Sequence, residues 1–332
     1  MITTKQVREK VKVLDELINA YNKDTNKKKR DWRTYEERVA NRLKHAIRYF
    51  ERYIDQALTN IIFTKQKGPG APEKLTLKQR VMLLLIKQLM DKSNRDMSIM
   101  MALFSVMTSI DISYKTIERL YDDQRIIMIL NNVHILIINE KKIEKPKVCG
   151  DATGYVLSVK ENYCSISQKI KDKKSTKKRK VIFSFALMDI DTRLYLAYGT
   201  SYKSESKAYE EAIRMLKKSD IIFESIRLDR YYSKQCYVRE INEISPKSKI
   251  YLIPKKNVTV KGNVAWKEML IDFVHNTMNY FKEYYQRNQS ESGFAEDKKR
   301  FGWRIRQKLE HRINLAYFGI FTWHNLMWIG AE

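Results

Sequence analysis

Upstream of residue 146 apolar residues recur at helical spacing, and downstream they gather into short runs. That change of period confines the chain to an all-α part followed by an α/β part. Val148 to Val159 reads as a strand. Val181 to Ile190 is an unbroken apolar run, as a strand buried on both faces requires. Leu194 to Tyr198, Ser225 to Asp229 and Ile250 to Ile253 read as three more strands. Helices are expected over Lys207 to Lys218, where Ala208, Ala212, Met215 and Leu216 share a side, and over Ser233 to Ile244. A long helix is expected from about Ala265 to Arg287, and another from near Ser290. Three strands in succession, then strands alternating with helices, predict an α/β domain with a mixed five-stranded sheet flanked by helices.

The 332 residues carry 64 Lys and Arg against 39 Asp and Glu, a formal net charge of +25. A surplus of this size favours a polyanion: DNA, RNA or an anionic membrane surface. A membrane span does not fit. The longest apolar stretch, Ile126 to Ile138, is too short and is interrupted by Asn131, Asn132 and His134. No apolar signal region follows Met1-Ile2-Thr3-Thr4-Lys5-Gln6. Cys149, Cys164 and Cys236 form no Cys-x-x-Cys pair, which points to a reducing cytosol. The five histidines lack metal-ligand spacing, so zinc is not expected. The segment from Lys169 to Lys180 is almost pure base. It reads either as a solvated hairpin tip or as a grip on a DNA backbone through residues such as Lys177 and Lys178.

Residues 1 to about 66 read as helix. Thr34 and Glu37 have capping-box spacing, and Ile47, Phe50, Ile54, Ala57, Leu58, Ile61 and Ile62 follow at helical intervals. Gly68-Pro69-Gly70-Ala71-Pro72 cannot continue a helix and reads as a linker. Thr76 can cap a helix running to about Met90. Met97 to Met107 form a second, and Ser113 can cap a third over Thr116, Ile117, Leu120 and Tyr121. Three short helices joined by polar turns suit a helix-turn-helix unit, although a plain helical bundle has the same pattern. Ile112 to Arg119 would be the recognition helix, with Lys115 and Arg119 as its DNA contacts. The expected division is 1–67 helical, 68–145 helix-turn-helix-like, and 146–332 α/β.

Cutting or joining a phosphodiester requires charge to be neutralised on the attacking and leaving oxygens. Two magnesium ions roughly 4 Å apart do this. Magnesium takes carboxylate and water oxygens, and manganese fits the same ligands. Asp151 interrupts a strand otherwise rich in Val and Leu, Asp229 ends another strand, and Glu291 opens a helix. If the two strands are neighbours, both aspartates point into one cleft and the glutamate closes it. Taken singly, each is as readily a surface charge or a turn cap, so their weight comes from being read together.

Tyr284, Arg287, Glu291 and Lys298 reproduce the spacing Tyr-x2-Arg-x3-Glu-x6-Lys, upstream of Lys299-Arg300-Phe301-Gly302. Asp151-Ala152-Thr153-Gly154-Tyr155 and Leu228-Asp229-Arg230-Tyr231-Tyr232-Ser233 precede them in order. From about residue 146 to 330 the chain resembles the DDE transposases of bacterial and archaeal insertion sequences. The order of elements also matches the ribonuclease-H-like topology. The resemblance implies that Asp151, Asp229 and Glu291 hold two magnesium ions. It implies that Tyr284, Arg287 and Lys298 hold the DNA backbone, and that DNA cleavage is followed by strand transfer. The implied partners are double-stranded element ends and target DNA, bound by a homodimer in a prokaryotic cytoplasm at the nucleoid, with no membrane and no small-molecule substrate. The interval from Asp229 to Glu291 leaves no room for the large β-strand insertion that some members carry. Trp266, inside it, reads as packing for the long helix. Tyr317, Phe318, Phe321, Trp323 and Trp328 read as a core helix. Two other readings fit the same residues: a transposase-derived DNA-binding protein without catalysis, and a ribonuclease-H-like nuclease or resolvase that cuts without joining.

Overall fold

A computed structural model describes residues 2–24, 32–63, 73–108, 110–157 and 181–330. The N-terminal part is helical as expected, in α1 (Thr4–Lys12), α2 (Leu14–Asp24) and α3 (Trp32–Thr59). Thr3 caps α1 through a capping box with Gln6. The expected cap at Thr34 is not one. The chain is already helical at Trp32, whereas a cap residue needs extended backbone, so Thr34 and Glu37 lie within the first turns of α3. The linker over 68–72 lies outside the described residues.

The second block has the three expected helices: α4 (Leu77–Leu89), α5 (Asn94–Thr108) and α6 (Tyr114–Arg119). Thr76 caps α4 in a capping box, and the Ser113 side chain accepts from the Thr116 amide to cap α6. The apolar stretch at 126–138 forms α7 (Gln124–Glu140), which buries Ile126, Ile129, Leu130, Val133 and Ile137. Among the described residues, no helix is long and apolar enough to cross a membrane.

The sheet is built around β1 (Lys147–Leu157). One side of β1 pairs antiparallel with β2 (Val181–Asp189), which pairs antiparallel with β3 (Tyr195–Ser201). Its other side pairs parallel with β4 (Ser225–Leu228), which pairs parallel with β5 (Lys249–Tyr251). The order β3-β2-β1-β4-β5 is the mixed sheet expected, in ribonuclease-H-like arrangement. A sixth strand, β6 (Arg304–Ile305), pairs with the far end of β1, and two residues are too few to carry a readable pattern. Ser204 caps α8 (Glu205–Lys218), which lies against β3 so closely that a Cβ on Gly199 would meet the Ala208 carbonyl at 2.1 Å. α9 (Gln235–Ile244) falls where expected.

The long helix expected over 265–287 is broken in two, α10 (Val264–His275) and α11 (Thr277–Tyr284), followed by a 3-10 turn over Tyr285–Arg287. Asn276 makes the break. Its backbone leaves helical geometry at φ −118°, ψ 37°, and its side chain donates to Asp272 Oδ1 at 2.8 Å. Trp266 is buried in α10 and donates to the Thr259 carbonyl at 2.8 Å, so it packs this helix. α12 (Asn288–Phe301) and α13 (Glu310–Ile329) complete the chain.

α13 is the tail helix read as core. Fifteen of its twenty residues are buried. On one side Trp323 donates to the Leu85 carbonyl of α4 at 2.7 Å and packs on Phe50 of α3. On the other, the Asn325 amide accepts from the Tyr195 N–H at 2.8 Å and donates to its carbonyl at 2.9 Å, satisfying the edge strand β3. One continuous apolar cluster therefore joins all three segments.

Asp297 of α12, 1% exposed, ties this frame together. Its carboxylate accepts from the Tyr195 hydroxyl at 2.8 Å and faces His324 Nδ1 at 2.8 Å. His324 Nε2 faces the Arg193 carbonyl at 2.9 Å, and its ring stacks on Tyr195. Removing the Asp297 carboxylate leaves the buried Tyr195 hydroxyl and His324 Nδ1 without the partner they share. Asp297→Ala should lower unfolding stability by on the order of 3 kcal/mol, read as a shifted urea midpoint at unchanged slope. A midpoint unchanged from the parent would refute this account of the core.

Candidate functional site

Asp151 sits in the middle of β1, and the register pairing Gly150 with Leu228 sets it level with the residue after β4, which is Asp229. Asp229 is extended and begins the 3-10 turn Arg230–Tyr232, so it stands at the carboxyl end of β4, where α/β sheets place ligands. Glu291 lies in the first turn of α12. These three elements bring the predicted carboxylates around a single cation. The Arg287 guanidinium lies 2.8 Å from Glu291, 3.4 Å from Asp151 and 3.9 Å from Asp229. The Glu291 pair is an i,i+4 contact carried across the junction of the 3-10 turn and α12.

The electrostatics follow from that crowding. Burial pushes the Asp151 carboxyl up to about 6, and the Glu291 and Asp229 charges add to the rise. The Ala152 amide, which donates to Asp151 Oδ1 at 2.8 Å, and Arg287 act against it. For Arg287 itself burial works against the charge, but Tyr284 and the three carboxylates outweigh it and hold its pKa above the ordinary value. Among the described residues, no three His, Cys, Asp or Glu side chains are arranged to hold a metal ion as they stand. The three carboxylates are instead spread around the guanidinium.

The other residues expected at the site fall in different positions. Tyr284 is 4% exposed, and its ring lies 5.5 Å beneath the Arg287 guanidinium, with burial pushing its hydroxyl up to about 12. It thus supports Arg287 from below. Lys298 shares the face of α12 that carries Glu291, seven residues away. It donates to Thr153 Oγ1, and its ammonium lies over the rings of Tyr155 and Trp303. Burial lowers its pKa. Asp151, Thr153 and Tyr155 alternate onto one face of β1, so a single strand face carries the acid and the seat of the lysine. Gly293 packs α12 against β3, where a Cβ would come within 3.1 Å of the Tyr195 hydroxyl. Lys115 and Arg119 are exposed on α6, a separate element. Lys177 and Lys178 lie outside the described residues.

Sequence reasoning missed two supports. Thr153, next but one to Asp151, reads as an ordinary strand residue until Lys298 is seen upon it. Arg227, 1% exposed on β4, donates to the Glu283 carbonyl at 2.9 Å, pairs with its carboxylate and lies over the Tyr251 ring. It fixes the strand that ends in Asp229 to the segment just before Tyr284 and Arg287. The available signal was an arginine in the middle of the apolar strand Ile226-Arg227-Leu228.

Over 327 residues the chain is 37% identical to the probable transposase for insertion sequence element ISA1214 of Archaeoglobus fulgidus, an alignment covering 98% of this chain and 96% of that protein. The chain belongs to the insertion-sequence transposases. No protein-family profile and no solved structure matches it. In this transposase the likeness spans the helical N-terminal half as well as the sheet.

The raised Asp151 gives this transposase a specific pH signature. An unfolded aspartate titrates near 3.9. With the folded value near 6, ionising Asp151 costs stability, a cost absent below about pH 4 and complete above about pH 6. Without divalent metal, Asp151→Asn should therefore melt a few degrees higher than the parent at about pH 8 and level with it at about pH 3.5. A lower melting point at the higher pH would mean that pairing with Arg287 outweighs burial.

Proposed function

We propose that this transposase is of the DDE type: it binds the terminal inverted repeats of its element, cuts DNA there and joins the cut end to a target. The observation that carries the reading is the convergence of Asp151, Asp229 and Glu291, from three separate elements, on one guanidinium. Three carboxylates held together by backbone geometry, one of them strained toward its protonated form, make a set that favours a divalent cation. Their oxygens are the donors magnesium prefers, and manganese would be accepted too. Asp151, Asp229 and Glu291 would hold the two ions, which when bound neutralise charge on the attacking and leaving oxygens.

The chain's own residues supply the rest. Arg287 presents a planar fork suited to a phosphate, braced by Tyr284. Lys298, seated on Thr153, offers a point charge beside Asp151. In this reading a water oxygen attacks the phosphodiester at the element's end and releases a 3′-hydroxyl. That hydroxyl then attacks a target phosphodiester in line and displaces a second 3′-oxygen. Lys115 and Arg119 on α6 contact the repeat, and Lys177 and Lys178 grip the backbone. Two ends must meet, so the working form is a homodimer on double-stranded DNA in the prokaryotic cytoplasm, at the nucleoid.

The test is incubation of the purified chain with DNA carrying its genomic flanking repeats, with and without magnesium, beside Glu291→Gln. The expected result is metal-dependent cutting at the repeat boundary and a joined product, both lost in the variant by roughly a hundredfold or more. Binding without cutting would replace the proposal with a non-catalytic DNA-binding protein. Cutting without joining would replace it with a nuclease or resolvase.

A further inference from the structure

β3, β4 and β5 run parallel to β1, so the loops that follow them emerge at one edge of the sheet, beside Asp229. Tyr231 clasps these loops together. Its hydroxyl shares a hydrogen bond of 2.9 Å with Ser206, at the start of α8 after β3. Its carbonyl accepts from Lys255 Nζ at 3.1 Å, in the loop after β5. Its ring, 41% exposed, lies under the Lys234 ammonium at 5.4 Å and the Lys255 ammonium at 5.8 Å. Arg230 precedes it directly. Among the described residues, no carboxylate oxygen lies within 4.0 Å of a side-chain nitrogen of Arg230, Lys234 or Lys255. Elsewhere in the chain, cations such as Arg80, Arg125 and Arg312 are matched by acids. This rim keeps its charge unspent: Lys255 rests on the Tyr231 carbonyl and ring, and the Lys234 ammonium lies over both the Tyr231 ring and the Tyr237 ring, 5.0 Å from the latter.

We infer that this rim is a second phosphate-binding surface, which holds the backbone of double-stranded DNA beside Asp229. The inference rests on the DNA-processing reading above and adds residues to it. The Lys234–Lys255 pair would therefore meet backbone phosphate at the end of β4 that carries Asp229, in addition to Lys298 on Thr153. The Tyr231 clasp fixes the pair's spacing by cation–π contact and by the bond to its carbonyl, so that less side-chain freedom is lost when a phosphate arrives.

The experiment measures binding of a labelled random-sequence duplex of about 30 base pairs to the full chain, without divalent metal, from about 0.05 to 0.3 M NaCl. Lys234→Ala/Lys255→Ala is compared with Lys141→Ala/Lys142→Ala, which removes the same charge at the end of α7. Both variants are first shown to melt with the parent. The rim variant should bind about tenfold more weakly or worse, with the slope of log K against log salt reduced by about 2. The α7 variant should stay near the parent. Equal losses in the two variants would reduce the rim to general electrostatics and overturn the inference. Parental binding and slope in the rim variant would overturn it as well, while leaving the DNA reading intact. A parent that fails to bind the duplex at any salt would overturn the DNA reading itself.

Discussion

Acids that must share a cleft repel one another, and this end of the molecule is arranged around that repulsion. At an effective dielectric of about 20, two unit charges 4 Å apart interact by about 4 kcal/mol, so three carboxylates cannot gather without a counter-charge. Arg287 is that counter-charge, and its position is itself over-determined. Arg227 on β4 pins Glu283, the next residue Tyr284 lies beneath the guanidinium, and the 3-10 turn brings Arg287 one helical turn ahead of Glu291. The strand that ends in one acid thus indirectly positions the arginine that neutralises all three. Burial, with the neighbouring acids adding to it, is what raises the Asp151 pKa.

Around this centre the chain folds as one body because α13 has no solvent face to speak of. It satisfies the edge of β3 through Asn325 and receives α3 and α4 on its other side through Phe50 and Leu85. Ion pairs then lock the α4–α6 block in place: Arg312 to Glu118 and Asp122, and Arg306 to Asp91. Exposed pairs of this kind contribute little singly, but Arg312 and Arg306 are largely covered and engage several acids, which sets orientation more than stability. If α6 reads the repeat, it does so from a fixed angle to the carboxylates.

Much of this was legible in the sequence wherever one pattern dominated. The run at 181–190, the caps Thr76 and Ser113, and the apolar tail at 317–328 each carry a local signature that tertiary packing did not override. The placement of Asp151 inside one strand and Asp229 at the end of another was legible too, since a charged residue there needs a reason, while Glu291, at the start of a helix, stood out only through its spacing from Tyr284, Arg287 and Lys298. What escaped depends on single contacts. One asparagine broke the helix at 276 within an otherwise continuous periodicity. β6 is two residues long and exists through its pairing with β1. The Thr34 cap failed because the helix began earlier than its spacing suggested. Arg287 was read as a DNA ligand, and its engagement with all three carboxylates follows from strand register, which spacing along the chain cannot encode.

That engagement has a consequence under the proposed DDE reading. A guanidinium facing three carboxylates has little left for a phosphate. To meet one it must loosen from the acids, and the acids then need another cation. Metal and DNA would on this argument reinforce each other, each supplying what the other takes from the trio, and linkage makes the coupling reciprocal. Lys298 and the Tyr231 rim differ in kind. Hydroxyl, carbonyl and ring contacts hold them with no acid to surrender, so they can meet phosphate without disturbing the centre. The same edge of the sheet therefore carries two classes of cation, one committed to internal balance and one free for a polyanion. The large net charge matters here through that division more than through its total.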